Sequence, residues 1–220
     1  ATRLVSQPVI AVNRFEAERQ KPAAFKIKTS LSDVPVIEVI DGQLVTNKYM
    51  WQPELDSDGF IKTNLDEDIL KIAVLNRYSI SQPAVALIRN FGLKEGAIAS
   101  SVAHDSHNIV AVGASDESLA RAFNLIIENK GGISAVTNTH EHILPLPVAG
   151  IMSDNDAFAI GKQYGKMDDL AKKMGSQLSA PYMTLSFMAL LVIPDIKLSD
   201  KGLFDGESFQ FMDVFENGSG

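Results

Sequence analysis

Apolar and polar positions change their spacing several times along this chain, and each change marks an element. Phe25-Lys-Ile-Lys-Thr29 alternates with a period of two, as a strand with one buried face does. Val36-Ile-Glu-Val-Ile40 and Gln43-Leu-Val-Thr46 flank Asp41-Gly42, a strong signal for a two-residue hairpin turn. Trp51 to Asp58, with Pro53 inside and Gly59 beyond, reads as a connector. From Asp68 the apolar positions become denser. Ile69 to Tyr78 and Ala84 to Phe91 read as strands, and Ala97 to Ala103 and Ile109 to Ala114 as a hairpin of small and apolar residues. Upstream of all these, Arg14 to Lys21 is charged and compatible with a short helix.

The spacing then becomes helical. Leu119, Phe123, Ile126 and Ile127 make one apolar face. Ser115 suits the N-cap, Asp116 and Glu117 suit the positive end of the dipole, and Gly131-Gly132 ends the helix. Ile133 to Thr137 and Ile143 to Val148 read as strands, the second pushed toward an edge or exit by Pro145 and Pro147. A second helix follows Ser153, with Ala157, Ile160, Tyr164, Met167, Ala171 and Met174 in register and Gly175 as its stop. Gly161 and Gly165 inside it each cost about 1 kcal/mol against Ala, so they permit close packing. An apolar segment, Leu185 to Ile193, and a final strand, Phe209 to Phe215, complete the pattern. Strands joined by short turns and interspersed with helices predict an α+β fold: a largely antiparallel β-sheet with helices packed against it, preceded by a short β-hairpin segment. The expected division is an N-terminal extension over residues 1–60, an α+β domain over 61–216 and a disordered tail over 217–220.

Composition narrows the function classes. The 220 residues are 45% hydrophobic and 21% charged, ordinary for a globular protein, with a formal net charge of -7. That charge argues against nucleic acid or an anionic membrane as the main partner, because both need a basic surface. With no cysteine, disulfides and thiolate metal sites are excluded, which fits a reducing cytoplasm. No apolar run approaches the roughly 18 residues of a membrane span; Phe187 to Ile193 is core-sized. Residues 1–20 show no continuous apolar stretch, so no signal peptide is expected. Ala1 in place of Met is consistent with a trimmed protein or a piece of a longer one.

The richest chemistry sits at the turn between the two small-residue runs, His104-Asp-Ser-His-Asn108, which holds half of the four histidines. Imidazoles transfer protons or bind metal near neutral pH, and a neighbouring carboxylate orients them. The plain alternative is a surface turn whose Asp, Ser and Asn cap backbone groups. A second pair, His140-Glu-His142, would point both rings the same way on a strand, so four histidines could in principle share a metal. A polar hairpin tip between Val136 and Leu144 explains that pair more simply. Asp66-Glu-Asp68 reads as a solvated face or helix start, and the methionines as core filler. Ser100 and Ser101 lack a nucleophile elbow, and the glycines form neither a phosphate loop nor a dinucleotide fingerprint.

The run Gly96-Ala-Ile-Ala-Ser-Ser-Val-Ala-His-Asp-Ser-His-Asn108 resembles the signature of the C-terminal domain of bacterial adenine deaminases. Asp68-Ile-Leu-Lys-Ile-Ala-Val74, Phe91-Gly-Leu-Lys-Glu-Gly-Ala97 and Leu144-Pro-Leu-Pro-Val-Ala-Gly-Ile-Met-Ser-Asp154 resemble further motifs of that family. So do Pro181-Tyr-Met-Thr-Leu-Ser-Phe-Met-Ala-Leu-Leu-Val-Ile-Pro194 and Lys197-Leu-Ser-Asp-Lys-Gly-Leu203. The likeness runs in order over residues 25–215; Tyr182, Ile151 and Leu191 stand where the family usually has Phe, Leu and Pro.

The resemblance implies hydrolytic deamination of adenine to hypoxanthine and ammonia, in purine salvage or catabolism, by a cytoplasmic homo-oligomer such as a dimer. It also implies an N-terminal amidohydrolase barrel holding a divalent metal (manganese, iron or zinc). Such a barrel takes about 250 residues, and this chain has no room for one. No cofactor or metal ligand is therefore expected within the chain, His140 and His142 included, and the chain alone is expected to be inactive. The residues expected to contact the purine or close the active site are Ser101, His104, Asp105, Ser106, His107 and Asn108. Two other readings stay open: a structural or dimerisation domain, and an independent four-histidine metal module.

Overall fold

Runs that are apolar at every position suit strands covered on both faces, and the fold uses them so. The computed structural model of the chain describes residues 12–217. Its strands are β1 (Ile27–Lys28), β2 (Val34–Val39), β3 (Thr46–Trp51), β4 (Leu70–Leu75), β5 (Ala84–Arg89), β6 (Ala97–Ser100) and β7 (Ile109–Gly113). Then follow β8 (Gly132–Val136), β9 (Glu141–Pro145), β10 (Ile196–Ser199), β11 (Gly202–Asp205), β12 (Gln210–Met212) and β13 (Glu216–Asn217). The helices are α1 (Asp116–Glu128), α2 (Ala157–Lys173) and α3 (Pro181–Phe187).

Eight strands form the central sheet in the order β3-β2-β5-β4-β7-β6-β8-β9, antiparallel except for the parallel β2–β5 pair. The fold is α+β, as the sequence implies. One face of the sheet, with Ala73, Leu75, Leu87 and Ala99, packs on α1 through Leu119, Phe123 and Ile126 and on Phe25 and Trp51. The other face, with Ile72, Val74, Ile98 and Val112, packs on Met167 and Ala171 of α2, Tyr182 and Leu185 of α3, and Ile196 of the small β10-β11-β12 sheet. Small residues in β6 and β7 let α1 approach closely: a Cβ on Gly113 would lie 2.8 Å from that of Ala97 and 2.9 Å from Leu119 Cγ.

Several expectations change. The charged stretch 14–21 is not helical; its backbone is used elsewhere, with Glu16 N donating to Arg77 O (2.7 Å) and Gln20 N to Asn124 Oδ1 (2.8 Å). The only turn of helix in that region is 3-10, at Pro22–Phe25. The Asp41-Gly42 turn sits within a wider loop, because the ladder closes at Val39 and Thr46 while Asp41 accepts hydrogen bonds from Ser179 N and Oγ. The central sheet draws strands from both sides of residue 60, since β2 pairs with β5. The apolar segment beginning at Leu185 is partly the end of α3, which Pro181 opens at N1. The strand expected over Phe209 to Phe215 is shorter, β12, and β13 follows it, with Asn217 paired to Ile27. Residues 218–220 lie outside the described residues. As Pro145 and Pro147 suggest, β9 is an edge strand. No helix among the described residues is long and apolar enough to cross a membrane.

Candidate functional site at the β6–β7 tip

The turn between β6 and β7 is built over buried supports. Asn108 is 3% exposed, and its Oδ1 accepts from Arg77 N (3.4 Å). Arg77 is equally buried, in the loop after β4. Its Nη1 donates to Ala149 O (2.8 Å) and its Nη2 to Tyr78 Oη (2.8 Å), while Tyr78 Oη donates to Ser106 O (3.1 Å). The guanidinium also lies over the rings of Tyr78 and Phe15. Among the described residues no carboxylate lies within ion-pair distance of it, and its Nε has no partner. A buried cation without a counterion costs several kcal/mol in general, so carbonyl and aromatic contacts must hold it.

On these supports the polar residues divide. Asp105 and Ser106 are exposed, and His104 and His107 are partly buried. His104 stacks on Phe187 of α3, with ring centroids 4.8 Å apart and planes tilted by 18°, and its backbone N donates to Ser186 O (3.1 Å). The two imidazole centroids lie 6.2 Å apart, and Nδ1 of each ring is buried without a hydrogen-bond partner. His107 holds a left-handed backbone (φ 51°), which a non-glycine residue adopts at a cost of about 1 kcal/mol. Burial holds the His107 pKa below the ordinary imidazole value, helped by His104 and Arg77 and opposed by Asp105. His107 is therefore neutral near pH 7, with one ring nitrogen able to donate and the other to accept.

Cavities flank the tip. One of about 230 Å³ lies beside His104, lined chiefly by Val102, Ile133, Leu146, Tyr164 and Met183. The other, about 350 Å³, separates Asp105 and Ser106 from Leu191, Val192, Asp200 and Phe211. Tyr182 lines the first cavity, and its hydroxyl donates to Ser134 O (2.9 Å). Burial raises its pKa well above the ordinary phenol value.

Of the expected site residues, the structure brings His104, Asp105, Ser106 and His107 to a common surface. Ser101 is fully buried: its Oγ donates to Gly150 O (2.5 Å) and accepts from Gly132 N (2.8 Å). Ser101 and Asn108 therefore support the tip from within. His140, in the turn before β9, and His142, on β9, form a separate exposed pair, centroids 6.4 Å apart. Among the described residues no three His, Cys, Asp or Glu side chains gather where a metal could be held. Sequence reasoning missed Arg77, Tyr78, Ala149 and Gly150. The one available signal was the Val148-Ala-Gly150 stretch inside a matched motif.

A family model described as the adenine deaminase C-terminal domain matches residues 43–210. The adenine deaminase of Salinibacter ruber is 50% identical over 206 residues, covering 93% of this chain but 37% of that protein. Those of Sulfurovum sp. and Methanosarcina acetivorans are 52% and 46% identical over 91% and 86% of this chain, and 36% and 34% of their own lengths. The chain thus spans little more than a third of the curated relatives it matches.

Proposed function

This chain belongs to the adenine deaminase C-terminal domain family, and from that premise we propose that it works as the C-terminal part of an enzyme that deaminates adenine. The overall reaction replaces the exocyclic amino group with oxygen from water and releases hypoxanthine and ammonia. A divalent metal (manganese, iron or zinc) would activate that water in the upstream part of such an enzyme. Among the described residues no side chains gather to fit one, so the contribution of this part is to bind, orient and enclose. The same proposal takes the assembled enzyme to be a cytoplasmic homo-oligomer.

The observation that carries the reading is the tip itself. The family signature folds into a hairpin whose two imidazoles keep Nδ1 unpaired at a partly exposed surface, above a buried scaffold. The neutral imidazole of His107 offers one donor and one acceptor, a match for the mixed edge of a purine. Burial of Nδ1 without a partner costs roughly 1–3 kcal/mol, a penalty a ligand or facing domain would relieve. His104, Asp105, Ser106 and His107 are the contact group in this reading; Ser101, Asn108, Arg77 and Tyr78 position it. Closing over the upstream site, the tip would orient the base and exclude water.

The test is adenine turnover, followed as ammonia and hypoxanthine, by a full-length polypeptide carrying this chain as its C-terminal part, beside the 220-residue chain alone. Turnover by the longer polypeptide and none by the chain alone are expected. A metal-loaded, folded full-length protein that leaves adenine untouched would overturn the proposal.

A further inference from the structure

The end of the sheet that carries the tip also carries apolar side chains that nothing among the described residues covers. Ile80 is 69% exposed, Met152 52%, Phe158 80%, Met183 50% and Val192 64%. Each sits on a segment joined to the tip. Ile80 follows Tyr78, which holds Ser106. Met152 closes the bridge with Val148 beside Ala149, the acceptor for Arg77. Met183 lines the cavity of His104 together with Ile160, two residues beyond Phe158, and Val192 lines the cleft of Asp105. Clustered exposed apolar surface of this kind marks an interaction site.

Helix α2 adds a second observation. Gly161 and Gly165 fall on the same side as Phe158, three and seven residues on, and a Cβ on either would meet nothing within 4 Å. Interior helix glycines cost about 1 kcal/mol each, and the packing within this chain does not offset that. A partner backbone lying close against the helix would.

The polypeptide arrives at this same end. Val12 O accepts from Ala149 N (2.8 Å), and Glu16 N donates to Arg77 O. Eleven residues precede Val12 and reach at most about 40 Å. The relatives are nearly three times as long as the part that matches, and the matched family is their C-terminal domain. We propose that the face formed by Ile80, Met152, Phe158, Met183 and Val192 is the docking surface for the upstream domain of the same polypeptide. This rests on the reading above that the chain is part of a longer enzyme. A domain tethered so closely has an effective concentration on the order of millimolar, an advantage a second copy meeting by diffusion lacks. The upstream domain would present apolar side chains around the Asp105–Ser106 tip and a close-fitting backbone over Gly161 and Gly165.

Hydroxyl-radical footprinting of the full-length polypeptide and of the 220-residue chain, with adenine turnover measured on the same full-length preparation, tests this. In the full-length protein, labelling of Met152 and Met183 is expected to fall to that of the buried Met174 and Met188, and Phe158 to lose most of its labelling. Leu44, 43% exposed at the opposite end of the sheet, should label equally in both. Equal labelling of Met152, Phe158 and Met183 in both proteins overturns the surface, whatever the turnover. Protection that grows with concentration in the 220-residue chain alone also overturns it, because the occupant is then a second copy. Protection without adenine turnover supports the docking surface while the deaminase reading fails.

Discussion

Gly150→Ala is the smallest change that should reach the tip. Gly150 has φ +71°, and a Cβ there would lie 2.0 Å from Arg77 Nη1. The left-handed backbone costs a non-glycine residue about 1–2 kcal/mol. The close approach forces the Arg77 guanidinium to move, which sacrifices its bond to Ala149 O or to Tyr78 Oη. A hydrogen bond from a charged group is worth about 1.5–3 kcal/mol. Together these give a loss of roughly 3–5 kcal/mol, or a fall in Tm on the order of 10 °C for a domain of this size. Because Tyr78 holds Ser106 and Arg77 N holds Asn108, the displaced guanidinium should also disturb the imidazoles. Urea denaturation of the 220-residue chain gives the first quantity, and imidazole NMR of His104 and His107 the second. A variant within 0.5 kcal/mol of the parent, a difference ordinary for surface sites, with unchanged imidazole resonances, would refute the strut from Gly150 to the tip.

Other expectations follow from buried groups. Lys197 is fully buried, and among the described residues its Nζ donates only to Leu44 O (2.7 Å) and Thr46 Oγ1 (3.3 Å). Burial lowers its pKa from 10.5 to about 8, against the pull of Asp195. Between those values the unfolded chain keeps a proton that the folded chain has released, so stability rises with pH by about 3 kcal/mol. Lys197→Met abolishes that rise: its stability relative to the parent, from urea midpoints at pH 7 and pH 10, should fall by this amount, and a constant difference contradicts it. His107 is held below its ordinary pKa, so its contribution is complete above about pH 6.5 and is lost as pH falls. His107→Gln should therefore lose less stability than the parent between pH 7 and pH 5; parallel denaturation curves would count against it. Ser115 Oγ accepts from Ser118 N, and Ser118 Oγ accepts from Ser115 N, closing the start of α1. Ser115→Ala should cost about 1 kcal/mol in chemical denaturation, and no loss would remove the cap from the account.

Much of this architecture is legible in the chain because local and long-range preferences agree. Ser115 caps α1 where its spacing to Leu119 requires, and the small residues of β6 and β7 fit the close approach of α1 at Gly113. The hairpin tip was legible as chemistry because five polar residues interrupt two apolar strands. What fails does so where distant backbone overrides local preference. Arg14 to Lys21 has helical composition, but its backbone groups are taken by Arg77 and Asn124, far along the sequence. Ser101 reads as a site residue from its place in the signature, yet its hydroxyl bonds Gly132 and Gly150 inside the fold. Nothing local says that Arg77 lies beneath the tip: that follows only from the pairing of β4 with β7, which brings Leu75 opposite Ile109. Α3 is short, and Pro181 was its best signal, outweighed by the apolar run that follows.

Steady-state kinetics of adenine deamination by a full-length enzyme carrying His104→Gln or His107→Gln tests the central claim most directly. A lost contact worth about 1–3 kcal/mol should lower kcat/KM by roughly 5- to 150-fold for at least one variant. Folding, followed by the urea midpoint at pH 7, should change little. Parental kcat and KM in both variants would contradict the account, leaving the tip a structural turn and the imidazoles bystanders to the reaction.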